Sequence, residues 1–160
     1  MSFIEEMKMR AKKDIKTIVL PEASDVRTLD AANGILKDGF ARIILIGNKK
    51  EILEKAKERN LNLEKAEIID PKTYEKYDEF VTAFFELRKK KGITIEKAKT
   101  LMLDTVYFGM MMVKLRICRW FSIWSNSFNS RYIKTCSSNF KDSTKHKISF
   151  CFLFNGSTKL

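Results

Sequence analysis

Two short apolar runs, TIVL at Thr17–Leu20 and ARIILI at Ala41–Ile46, constrain this chain more than any other feature. Each is rich in β-branched or aliphatic residues and apolar on both faces. Each stops at a turn signal, Pro21 in the first case and Gly47-Asn48 in the second. A strand with one polar face can lie against water. A strand apolar on both faces must be covered on both, which is the condition of a parallel strand with helices above and below. Burying the four Ile and Leu side chains of the second run stabilises by roughly 1.5–3 kcal/mol each before conformational entropy is counted.

The segments around these runs have helical spacing. Phe3, Ile4, Met7 and Ala11 mark an amphipathic helix over residues 2–13. Leu29, Ala32, Ile35 and Leu36 mark another from about Val26 to Lys37, with Ser24 or Asp25 as its N-cap and Gly39 as its left-handed exit. Lys49–Arg59 forms a third helix, ended by Asn60. Glu67–Ile69 is a weaker strand stopped by Asp70-Pro71. Tyr74–Lys90 is helical up to Gly92, Thr94 caps a helix from Ile95 to about Asp104, and Tyr107–Leu115 is a last helix. The order β-α-β-α-β-α predicts an α/β fold with a partial doubly wound parallel sheet of three strands.

Composition divides the chain at Leu115. Residues 1–115 carry 23 Lys/Arg and 19 Asp/Glu, a net +4; residues 116–160 carry 8 and 1, a net +7. The overall +11 is therefore mostly a property of the tail, and the first part has the mixed surface of a soluble protein rather than a basic footprint for nucleic acid. All three cysteines, both tryptophans and the single histidine lie in the tail, which contains no Ala, Val, Glu, Met or Pro. The first part has no cysteine and the N-terminus has no apolar signal core, so a cytoplasmic protein without disulfides is expected. The longest apolar run, Val106–Val113, is far short of the ~20 residues that span a bilayer.

In open parallel sheets, ligands bind beyond the carboxyl ends of the strands. Those ends are Pro21–Asp25 and Gly47-Asn48. Neither is a dinucleotide fingerprint or a P-loop, and the carboxylates near Asp25 favour a cap over an anion site. Arg88-Lys89-Lys90-Lys91-Gly92 is the one dense basic cluster. It reads either as a solvated helix end with cations at the C-terminal dipole or as a phosphate site whose planar donor is Arg88. Met110–Met112 reads as core filling. Cys118, Cys136, Cys151 and His146 have no metal-ligand spacing, so no metal site is expected.

Four ordered blocks, IVLPEASDVRTLDAA, GFARIILIGN, FFELRKKKGITIEKA and VYFGMMMVKL, closely resemble the N-terminal part of phosphate acetyltransferases, a family that includes phosphate butyryltransferases. The resemblance covers residues 1–115, about a third of such an enzyme. Lys90 stands where the family often has histidine and Thr105 where it often has proline. The resemblance implies an isocitrate/isopropylmalate dehydrogenase-like fold of two α/β domains, the first incomplete here, with the active site between them. It implies transfer of an acetyl group between coenzyme A and phosphate, coenzyme A being a substrate and no resident cofactor being needed. It also implies small-molecule substrates rather than nucleic acid or membrane, and a homo-oligomer for the intact enzyme. Arg88, in the ELRK block, matches a substrate-binding arginine. No catalytic residue is expected within residues 1–115.

In the family, MMVKL is followed by a glycine-rich block like GDADGLVSGA; here it is followed by Arg116-Ile117-Cys118-Arg119-Trp120. A codon reading that encodes LGYADGLVSGAIHSTADTLRPALQI, with one A inserted after its first codon, reads out as Leu115 through Asn139 of this chain. Trp120 and Trp124 allow no choice of codon, and the hidden frame still gives ADGL and SGA there. Residues 116–160 are therefore expected to be an out-of-frame tail rather than a domain, disordered or poorly packed, leaving an exposed strand edge and a product inactive alone.

Overall fold

The computed structural model describes residues 2–118, 120–123 and 150–152. Its elements are helix α1 (Phe3–Lys13), strand β1 (Lys16–Leu20), α2 (Val26–Asp38), β2 (Ala41–Ile46), α3 (Lys49–Glu58), β3 (Glu67–Ile69), α4 (Tyr77–Arg88) with a 3-10 turn at Lys89–Lys91, α5 (Ile95–Met102), α6 (Thr105–Lys114), β4 (Trp120–Ile123) and β5 (Phe150–Phe152). The strands pair in parallel in the order β3-β2-β1-β4-β5.

The two-faced apolar runs dictate the layers. Along β2, Ile43 and Leu45 point to one side and pack with Leu29, Ala32 and Leu36 of α2 and Ile52 and Ala56 of α3. Ile44 and Ile46 point to the other side and pack with α4, α5 and α6. This period-two division between two helical layers is what a buried parallel strand requires. Helix α6 is buried from Val106 to Val113 except for half-buried Tyr107, and Met110, Met111 and Met112 fill the core as the triplet predicts.

The caps follow the sequence closely. Asp25, rather than Ser24, caps α2, and Gly39 closes it at φ 69°. Thr94 caps α5. Two boundaries differ from expectation. Tyr74 lies in a turn ahead of α4, and Asp104 does not end α5 but starts α6, accepting hydrogen bonds from the Val106 and Tyr107 amides at 2.8 and 3.3 Å. A short acceptor side chain satisfies the free amides of a first turn better than it serves a helix interior.

The three-strand sheet with an open edge is corrected. The far edge of β1 is covered by β4, in register Ile18 with Trp120 and Val19 with Phe121, and β5 pairs with β4 in turn. At the same places two tail side chains are buried: Cys118 and Phe121 are 6% and 2% exposed and belong to the core over α4–α6. An unpaired row of backbone donors and acceptors on β1 is reason enough for whatever extended segment follows α6 to pair there. Tail residues 119, 124–149 and 153–160 lie outside the described ones.

The turn that leads into β4 has a definite geometry. The Ile117 amide donates to the Met112 carbonyl at 2.9 Å and the Arg116 amide to the Val113 carbonyl at 3.1 Å, with Arg116 at φ 62°. This pair of bonds is the Schellman ending of a helix, whose left-handed position is usually glycine. Among the described residues no helix is long and apolar enough to cross a membrane.

Candidate functional site

The strand order locates a crevice. β1 leads to β2 on one side, while β4 lies on its other side, so the topological switch falls between the carboxyl ends of β1 and β4. One wall of that crevice is Pro21–Asp25. The segment that follows Ile123 lies outside the described residues.

The β1 wall is closed to anions by its own chemistry. The Asp25 carboxylate accepts from the Arg27 amide at 2.9 Å and from the Arg27 guanidinium at 3.2 and 2.7 Å. That side-chain pairing holds its carboxyl below the ordinary value of 3.8. The start of α2 is therefore satisfied by a neighbouring carboxylate, as the capping reading predicts.

The basic cluster is not uniform. Arg88, the last residue of α4, is half-buried; its guanidinium carbon lies 5.9 Å from the centroid of the Phe84 ring one turn earlier, and its Nε is shielded from solvent. Lys89 pairs with Glu86, and Lys90 and Lys91 are exposed ahead of Gly92, which ends the run at φ 74°. Phe84 is itself fixed: it is 1% exposed and meets the Tyr107 ring edge-on at 5.9 Å. Two of the blocks quoted above, FFELRKKKGITIEKA and VYFGMMMVKL, thus join through Phe84 and Tyr107 and set the direction of Arg88. A second aromatic group lies alongside, with Tyr74, Phe80 and Phe108 at centroid distances of 4.8–5.4 Å.

Sequence reading singled out Arg88 but missed Phe84, the ring it lies over. The signal was the i, i+4 spacing of an aromatic and a guanidinium on one helix face. Cys118 sits in the core, and burial pushes its thiol up to about 12, which keeps it protonated and a poor nucleophile. Among the described residues no group of three His, Cys, Asp or Glu side chains is placed to hold a metal. The side chains of Cys136, Cys151 and His146 lie outside the described residues.

Comparison with known proteins bears on residues 2–117, which match the family model described as phosphate acetyl/butaryl transferase. A phosphate acetyltransferase from Thermoanaerobacterium thermosaccharolyticum is 52% identical over 114 residues, and one from Acetivibrio thermocellus is 47% identical over 114; each match covers 71% of this chain and 34% of the relative. The chain thus spans about a third of the length of these relatives. Among solved structures, the EutD phosphotransacetylase from Staphylococcus aureus superposes with a TM-score of 0.77 at 28% identity, covering 86% of this chain and 42% of that one. A phosphotransacetylase from Streptococcus pyogenes gives 0.76 at 26% identity, over 84% and 41%. By its match over residues 2–117, this chain belongs to the phosphate acetyl/butaryl transferase family.

Proposed function

We propose that residues 1–115 form the first third of a phosphate acetyltransferase, that Arg88 is one of its substrate-holding cations, and that the chain as it stands does not turn over. One observation carries the reading: the arginine that matches a family substrate arginine is half-buried on an aromatic ring, apart from the solvated lysines beside it. A guanidinium on an aromatic ring is weakly hydrated and planar, which suits the oxygens of a phosphate. In the reaction, the coenzyme A thiolate forms a bond to the acetyl carbon of acetyl phosphate, the carbon–oxygen bond breaks, and phosphate leaves with the electron pair. The base that takes the thiol proton, the glycine-rich block and a second arginine belong to the part of the family enzyme beyond the matched third. Coenzyme A enters as a substrate, and the intact enzyme is a cytoplasmic homo-oligomer.

The tail is read as the product of a single-base insertion after codon 115. Support comes from 45 residues without Ala, Val, Glu, Met or Pro and from the family-like hidden frame. Sequencing the coding DNA tests it directly: deletion of one base must restore a glycine-rich continuation, and a hidden frame closed by stop codons would overturn it.

Acetyl phosphate and coenzyme A mixed with the purified chain are expected to give no acetyl-CoA above background. Turnover that Arg88→Ala abolishes would overturn the inactivity. In an active fusion of residues 2–115 to the rest of a relative, Arg88→Ala is expected to lower kcat/KM by one to two orders of magnitude, about what a hydrogen bond to a charged group contributes. The relatives' names favour acetyl over butyryl transfer. A nucleic-acid-binding module is the competing reading on net charge. Steeply salt-dependent, weak DNA binding is expected, and saturable binding that survives moderate salt would favour the competitor.

A further inference from the structure

Five of the eleven large apolar side chains left exposed among the described residues fall in the first fifteen: Phe3 (76%), Ile4 (64%), Met7 (50%), Met9 (46%) and Ile15 (50%). Helix α1 is well made locally. Ser2 and Glu5 form a reciprocal capping box, acidic residues occupy its first turn and basic ones its last. Yet none of its residues is buried. An ion pair from Lys8 to Asp38 at 2.5 Å ties it to the body. Phe3, Ile4 and Met7 line one face together with half-buried Ala11. A helix of 11 residues is shorter than the ~12–15 that hold in water unaided, so an apolar stripe on it marks a surface meant to be covered.

We infer that this stripe is an interior surface of the whole enzyme, covered by the part of the polypeptide that follows the matched third. The inference rests on the functional reading above. The family match begins at residue 2 and so includes the stripe, while the matched stretch is 34% of the relatives' length. The stripe thus belongs to a body about three times as large. A second copy of this chain is the weaker occupant. Helix α1 is ~16 Å long, and its three stripe side chains fall far short of the ~800 Å² per partner of a stable interface. A segment of the same polypeptide needs no such area, because covalent connection supplies the effective concentration.

Two native methionines make the test. Met7 lies on the stripe and Met9 on the opposite face, and both are about half exposed. Dilute hydrogen peroxide converts each to its sulfoxide at a rate set by access, and peptide mass spectrometry resolves the two. In the chain alone both are expected to oxidise at comparable rates. In a fusion of residues 2–115 to the remaining two thirds of the Thermoanaerobacterium thermosaccharolyticum relative, Met7 is expected to slow at least about tenfold while Met9 does not. Equal rates in a folded fusion would overturn the inference. A folded fusion with Met7 protected but no acetyl transfer would count against the functional reading alone. If the fusion does not fold, the same peroxide measurement on this chain mixed with the separately made two-thirds fragment decides it, unslowed Met7 in the assembled pair again being the overturning result. Sedimentation of the chain alone gives an independent check: a monomer is expected, and a dimer lost on Phe3→Ser with Met7→Ser would replace the proposed occupant by a second copy.

Discussion

Helices α2 and α6 both leave through a residue in the left-handed conformation, and only α2 has glycine there. At the end of α2, Gly39 sits at φ 69° and its amide donates to the Ile35 carbonyl at 2.8 Å. At the end of α6, Arg116 sits at φ 62° within a fully bonded Schellman turn. In the resemblance drawn from the sequence, MMVKL is followed by glycine, so the backbone here takes a glycine's path with an arginine on it. The difference separates what fixes the path from what occupies it. The helix carbonyls waiting for donors and the unpaired edge of β1 prescribe a turn and a strand after Leu115. The residue at the turn, Arg116, is not the glycine that such a turn favours.

Phe121, on the strand after that turn, has the largest expected effect. It is 2% exposed, and its ring rests where Gly109 has no side chain; a Cβ on Gly109 would come within 2.6 Å of the Phe121 Cε2 atom and 3.1 Å of the Ile46 Cδ1 atom. Phe121→Ala removes an aromatic side chain from the core over α4–α6. It is expected to destabilise by about 3–5 kcal/mol, read by denaturant unfolding. A loss under about 1 kcal/mol would mean that the tail strand contributes no packing and that residues 1–115 hold the core by themselves.

The two helix exits give a reciprocal pair of smaller changes. Arg116→Gly relieves a left-handed L residue, worth roughly 1–2 kcal/mol, against roughly 0.5–1 kcal/mol of extra chain entropy lost on folding. A net gain of up to ~1 kcal/mol is expected, or roughly 2–4 °C in Tm for a chain of this size. Gly39→Arg imposes the same strain where the chain now avoids it and is expected to lower Tm by a similar amount. If both substitutions lower Tm, the turn after Leu115 does not have the geometry described.

The comparison also explains what was legible in the sequence. Within residues 1–115, local signals and tertiary needs agree. TIVL and ARIILI are apolar on both faces because helices cover both, Gly39 and Gly92 stand where φ is positive, and Thr94 stands where an amide needs an acceptor. The misassigned Asp104 is an ambiguity of spacing, since a capping residue between two abutting helices can be counted with either. The tail strand could not be read from its own pattern, because β4 forms through the demand of the β1 edge rather than through any periodicity in WFSI. Of the candidate site, Arg88 was visible as charge. Its setting was not, because Phe84 on α4 meets Tyr107 on α6, with the whole of α5 between them in the chain.

Asp25 tests the well-matched side of the comparison. Its carboxylate caps α2 and is held below 3.8, chiefly by its side-chain bonds to Arg27. Because the folded value is depressed, the stabilisation is complete above the unfolded value of about 3.9 and is lost as pH falls through the folded one. Asp25→Ala is expected to cost about 1 kcal/mol at pH 7 and to flatten the acid limb of a stability–pH curve below pH ~4. An unchanged acid limb would show that Arg27 and the carboxylate are not paired in solution.

The smallest effect is expected at the tie between α1 and the body. Lys8 and Asp38 are 2.5 Å apart, with side chains 43% and 40% exposed, and Lys8 holds the Asp38 carboxyl below its ordinary value. Pairs this open to water contribute little to stability and are screened by salt. Lys8→Ala should therefore leave the melting temperature of the chain unchanged within measurement, while amide exchange over residues 3–13 accelerates. High salt should reproduce that acceleration in the unsubstituted chain. The helix would then be ordered by its own capping box and one ion pair, outside the cooperative unit formed by the sheet and α2–α6. A fall in Tm as large as that of Asp25→Ala would instead place α1 inside that unit and require burial of its stripe in this chain itself.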